Sequence, residues 1–173
     1  MTAELSAESH SAGQVRLNFL PKPLVEPVRP VRALLVAWLT AFIPSIALAA
    51  AVGTLLPDAR TPEFPISGIV AIILLVFFAP IVETLIMGSV LLILLRFVSA
   101  TSAVLVSAFG WAVAHSLSAP IWGLIIWWPF LVFSTLFVTW RSRSVAVAFA
   151  MAAAVHALHN LPPALLVASG QIS

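Results

Sequence analysis

The chain has 173 residues, 62% of them hydrophobic and only 8% charged, with a formal net charge of +2 and no cysteine. An ordinary soluble domain carries roughly 25% charged residues. One of this size could not hide so much apolar surface, so the chain reads as an all-α, polytopic integral membrane protein whose first partner is the lipid bilayer. Its basic residues sit beside apolar runs rather than in a stripe, which argues against nucleic acid as a partner. The lack of cysteine removes disulfides, thiol nucleophiles and thiolate metal sites.

Residues Met1 to Pro30 are polar and include Pro21, Pro23, Pro27 and Pro30. That density of proline predicts a flexible, extended cytoplasmic tail over 1–30 rather than a helix. No apolar core lies near the start, so no secretory signal is expected. A transmembrane domain follows over 31–173. Its first span is predicted over Val31 to Leu56, with Pro44 as a possible kink. Pro57 to Pro65 holds Asp58, Arg60 and Glu63 and reads as a short polar loop. Ile66 to Leu95 is 30 residues long, about 45 Å as straight helix. That exceeds a hydrocarbon core of about 30 Å, so tilt, a kink at Pro80 or a protruding end is expected.

A third span, capped by Thr101 or Ser102, ends near Ala119-Pro120; at about 17 residues it is of minimal length. Ile121 to Trp140 is the fourth. Ser144 to Leu161 is the fifth, rich in alanine and therefore suited to close packing inside a bundle, with Pro162-Pro163 ending or kinking it. With the N-terminus inside, Arg16, Lys22, Arg29, Arg32, Arg96, Arg141 and Arg143 fall on the inner side and only Arg60 falls outside. That asymmetry supports five spans with a cytoplasmic N-terminus.

Glu83 is the only charge in the second run, and a carboxylate at that depth costs on the order of 2.5–3.5 kcal/mol on insertion scales. It needs a use. The strongest polar groups in the other runs are His115, His156, His159 and Asn160. Glu83 lies 13 residues from Arg96, His115 lies 13 from Ser102, and His156 lies 13 from Arg143. All three therefore sit about 20 Å from the inner edge at 1.5 Å per residue. His156 and Asn160, at i and i+4, share a helix face. Polar residues also glue membrane helices together, and His159 is assigned that structural role. The tryptophans Trp111, Trp122, Trp127, Trp128 and Trp140 are read as packing and interface residues.

The residue inventory narrows the chemistry. Asp58 is the only aspartate, so a two-aspartate protease is excluded, and no H-E-x-x-H is present. Ser89, Ser107, Ser116 and Ser134 leave a serine–histidine dyad open, although none has flanking glycines. A carboxylate with two histidines and an asparagine suits hydrolysis by activated water. Such proteolysis requires a lateral or inner-side cavity wide enough for a peptide.

These residues, in this order, resemble the CPBP intramembrane proteases (CAAX protease and bacteriocin-processing), which include the Ras-converting CAAX protease and bacterial relatives of bacteriocin-immunity proteins. The family pattern is E-E-x-x-x-R, an aromatic-x-x-x-H, and H-x-x-x-N on separate helices. Ala79-Pro80-Ile81-Val82-Glu83-Thr84 resembles the first motif, Trp111-Ala112-Val113-Ala114-His115 the second, and His156-Ala157-Leu158-His159-Asn160 the third. The resemblance covers about 66–167. It implies an intramembrane endopeptidase in a bacterial inner membrane, acting on a peptide or membrane-protein substrate, with its site between the helices of the C-terminal four. Glu83 assisted by His115 would activate water, and His156 with Asn160 would form the oxyanion hole. No cofactor or metal is implied by that mechanism. Thr84 and Gly88 stand where the second glutamate and the arginine are expected, which also fits a non-catalytic interaction or immunity protein on the same scaffold.

Overall fold

The computed structural model describes residues 14–172 and is all-helical, with no strand among those residues. A one-turn helix α1 (Lys22–Val25) precedes five apolar helices: α2 (Pro30–Leu55), α3 (Gly68–Leu94), α4 (Ala100–Ser116), α5 (Trp122–Trp140) and α6 (Val145–Ala168). Four of these, α2, α3, α5 and α6, are long and apolar enough to cross a membrane. The fifth, α4, has 17 residues, about 25 Å at 1.5 Å per residue. The chain is an integral membrane helix bundle.

The expectation of a flexible tail fails for the described part of 1–30, and Met1 to Gly13 lie outside the described residues. Leu24 is fully buried and Leu20 nearly so, both in the main apolar cluster. Two further contacts fix the segment. The Arg16 N–H donates to Thr101 Oγ1 at 2.8 Å, and the Arg143 guanidinium donates twice to the Pro27 carbonyl, at 3.0 and 3.2 Å. The prolines fragment the backbone as expected, yet Leu20 and Leu24 between them have apolar surface to bury, and burial outweighs the lack of regular structure.

At the centre lies α5, with every residue from Pro129 to Trp140 buried. The helix α2 meets it through a ridge of small residues, Ala33, Ala37, Ala41 and Ser45, spaced by four and all buried. Lipid tails are as apolar as leucine, so helices associate in a bilayer by close packing rather than by hiding from solvent. Gly123 serves the same end between α4 and α5: a Cβ there would overlap the Ser116 hydroxyl and the Ala112 carbonyl. Ser107 and Ser134 add a buried hydroxyl pair at 3.0 Å across the same two helices.

Helix ends follow local chemistry. Ser99, rather than Thr101 or Ser102, caps α4 by accepting from the Ser102 N–H; Ser144 caps α6 by accepting from Val147 N–H. Gly68 opens α3 at φ +57°, a conformation that favours glycine. Pro162 and Pro163 do not end α6, which runs on to Ala168; prolines are tolerated where neighbouring helices support the freed backbone.

Two other prolines tie the bundle together. Pro44 has no N–H to give the Thr40 carbonyl four residues back; the Trp128 indole N–H on α5 donates to that oxygen instead, at 2.7 Å. In α3 the turn Ile73–Phe78 is π-helical, and the Ala79 N–H donates to Leu74 O. The next donor in that register, toward Leu75 O, would be residue 80, which is proline. The orphaned Leu75 carbonyl is taken by Asn160 Nδ2 of α6 at 3.0 Å. The kink expected at Pro80 thus takes the form of a wide turn just before it, the usual company of proline in a helix.

Candidate active site

Glu83 sits one turn after Pro80, where the helix regains α geometry, and projects from α3 toward α6. Its Oε2 lies 3.8 Å from His156 Nε2. The carboxylate side chain is 26% exposed and the histidine 3%, so the acid reaches an opening and the imidazole forms its wall. Among the described residues no donor hydrogen-bonds to Glu83, and a half-buried carboxylate at that depth is costly. On its other side the His156 ring faces Thr84, with Nδ1 and Oγ1 at 3.5 Å. Phe133 stacks on it at 4.7 Å and Phe130 meets it edge-on at 5.3 Å.

His115 stands at the last turn of α4. Its Nδ1 lies 2.8 Å from the Trp111 carbonyl. A carbonyl only accepts, so Nδ1 carries the hydrogen and Nε2 keeps the lone pair of a base. The ring is held by Trp122 at 4.9 Å and by Phe130 at 5.5 Å. Among the described residues Glu83 has no ion-pair approach to His115; its histidine neighbour is His156. Asn160 completes the set, one amide hydrogen committed to Leu75 O and the other free.

All four candidate residues line one cavity of about 420 Å³, a size typical of small-ligand sites. The rest of its wall is almost wholly apolar. Its lining comes from the later half of α2 (Phe42 to Ala49), the middle of α3 (Leu75 to Glu83), the end of α4, the first part of α5 (Trp122 to Phe133) and the second half of α6. Pro62 and Phe64 of the α2–α3 loop join it. Most of these lie in the half of the bundle away from the basic helix ends.

His159, assigned to structure by its i+3 spacing, belongs to this cavity too. It is buried, its Nδ1 has no hydrogen-bond partner, and its ring stands edge-on to Phe42 and Phe133. The signal was in the spacing: at 100° per residue, positions 156, 159 and 160 fall within one 100° sector, narrow enough for all three to face one cavity. Trp122, read as an interface residue, is also a wall of the site, with its ring against both His115 and Phe64.

The other uses of these residues find less support in the geometry. No group of three His, Cys, Asp or Glu side chains among the described residues is placed to hold a metal ion. Ser107 and Ser134 bond each other and Ser116 donates to Pro120 O, so the dyad lacks a serine–histidine hydrogen bond among the described residues.

The surroundings of positions 84 and 88 are filled. Thr84 is buried and spends its hydroxyl on the His156 ring. Gly88, one turn on, is covered by aromatic rings: a Cβ there would overlap Phe149 and come within 2.6 Å of Phe137. An arginine side chain has no room at that position, and a glutamate at position 84 would have no arginine to pair with.

Comparison of the chain with protein-family models, with curated proteins and with solved structures finds no match.

Proposed function

We propose that this protein is an intramembrane endopeptidase of the CPBP kind that hydrolyses a peptide bond with water activated by Glu83. The observation that carries the reading is the convergence of Glu83, His115, His156 and Asn160, from three separate stretches of sequence, on one apolar cavity. Water held at the Glu83 carboxylate loses a proton to it as the oxygen attacks the scissile carbonyl carbon. The oxyanion that forms accepts hydrogen bonds from His156 and from the free amide hydrogen of Asn160. As the C–N bond breaks, Glu83 returns its proton to the leaving amine. The base nitrogen of His115 orients the water from the opposite wall. Apolar walls strengthen each of these interactions by excluding bulk solvent. The test is an isosteric Glu83→Gln change in a purified cleavage assay; undiminished turnover would sink the mechanism.

A second reading, a non-catalytic interaction or immunity protein on the same scaffold, draws on the aromatic filling at Gly88. It expects the cellular phenotype to survive Ala substitution at both Glu83 and His115. Loss of phenotype in a stably inserted double variant argues against it.

A further inference from the structure

The cavity and the basic residues occupy opposite ends of the bundle. Segment 14–30 lies at one end, tied to the start of α4 through Thr101 and to the α5–α6 turn through Arg143. Arg29 and Arg32 at the start of α2, Arg96 after α3, and Arg141 and Arg143 after α5 mark that same end. None of these residues, and no part of segment 14–30, lines the cavity. The floor is set by Glu83, His156 and Phe133 near mid-depth. The rim is set by Pro62 and Phe64 of the α2–α3 loop, Trp122 at the start of α5, and Ile172 beyond α6. Below the floor, Ser134 to Trp140 of α5 are buried without a break, and the apolar cluster around them separates the cavity from the basic end among the described residues.

We propose that the cavity is loaded from the membrane face opposite the basic helix ends, by an uncharged, largely apolar peptide segment entering past Phe64 and Trp122. Under the positive-inside rule that face is the non-cytoplasmic one. The wall holds no lysine or arginine, so nothing there compensates an anionic ligand, and the single carboxylate is reserved for water. The Phe64 ring rests edge-on against Trp122 at 5.8 Å, and Trp122 against His115 at 4.9 Å; a segment passing the rim therefore touches an aromatic chain that ends on the site. Only the identity of the occupant rests on the hydrolase reading; the side of access does not.

Because the chain has no cysteine, single-cysteine reporters read the side of access without background. Ala79→Cys and Ala49→Cys place thiols on two walls of the cavity from different helices. Thr61→Cys marks the α2–α3 loop and Ser142→Cys the basic end. Sealed vesicles of either orientation are treated with a charged, membrane-impermeant maleimide. Both wall thiols are expected to label from the face that labels Thr61→Cys, with loss of labelling when the reagent is confined to the face that labels Ser142→Cys. Labelling from the Ser142 face overturns the proposal. Wall thiols silent from both faces overturn it too, since the cavity is then open to lipid alone. Two wall reporters guard against one variant misfolding. Adding Glu83→Gln to the Ala79→Cys chain separates the claims: it abolishes turnover if Glu83 is the base and leaves the labelled face unchanged.

Discussion

The two halves of α5 face different tasks. From Ser134 to Trp140 it runs through a filled core that includes Leu20, Leu24, Leu91, Val104 and Ala148. From Trp122 to Phe133 it is one wall of a cavity that also holds a carboxylate, three histidines and an asparagine. Both halves are apolar and aromatic in sequence, so composition along the helix does not distinguish them. Their neighbours do. In the filled half small residues on α2 let backbones close up, whereas in the open half α2, α3 and α6 contribute Ser45, Glu83, His156, His159 and Asn160 to the cavity wall. Stability is concentrated at the basic end and polar chemistry at the other.

The most severe break of this contrast is on the polar side. Glu83→Gln keeps size and shape, removes the base and is expected to lower turnover by about 10²–10⁴-fold, the usual contribution of a positioned proton acceptor. The thermal midpoint should stay level or rise, because a carboxylate without donors is a liability to folding. A parallel fall in midpoint and activity would mean that Glu83 is holding helices together. On the filled side the pattern reverses. Phe137→Ala should lower unfolding stability by about 3–5 kcal/mol, read as a loss in denaturant or thermal midpoint, while the turnover of the protein that remains folded is unaffected.

How far these halves could be read beforehand differs as well. The apolar runs, their helical character and their approximate ends follow from hydropathy and length, because a bilayer permits few other backbones. Equal counts from the basic ends brought Glu83, His115 and His156 to one level, and they do line one cavity. What stayed illegible depends on contacts between distant segments. Prolines between 21 and 30 signal irregular backbone but not that Leu24 is buried. His159 carries no mark that separates a ring in a core from one at a cavity wall. Gly88 carries no mark in the sequence that Phe149, sixty-one positions later, covers it.

An intermediate effect lies where the halves meet. Asn160→Ala leaves Leu75 O without its donor, at a cost of about 1–3 kcal/mol for an unmet buried carbonyl. Pro80→Ala supplies a backbone N–H in the same place. The double variant should therefore recover part of the stability lost in Asn160→Ala, a coupling that a double-mutant cycle measures directly. Additive losses would show that the amide does not compensate the proline. Activity separates Asn160's two tasks: if its second hydrogen serves the oxyanion, turnover stays depressed in the double variant even as stability returns.

The smallest expected effect sharpens the contrast most cleanly. Ser107 and Ser134 form a buried polar pair between α4 and α5, away from the cavity. Hydrogen bonds between membrane helices average about 0.6 kcal/mol, because a helix released in lipid finds other partners for the same groups. A serine hydroxyl can turn to the carbonyl four residues back, as Ser45 does to Ala41 and Thr135 to Leu131. Replacing Ser107 and Ser134 together by alanine removes both groups at once and leaves neither unpaired, so stability should change by less than about 1 kcal/mol and turnover not at all. Asn160 is different because its acceptor is a backbone carbonyl that no local rearrangement can satisfy. If the serine pair proved as costly as Asn160, polarity itself would be the stabilising feature of the bundle. If it is nearly silent, the polar residues at the cavity are retained for what they do there.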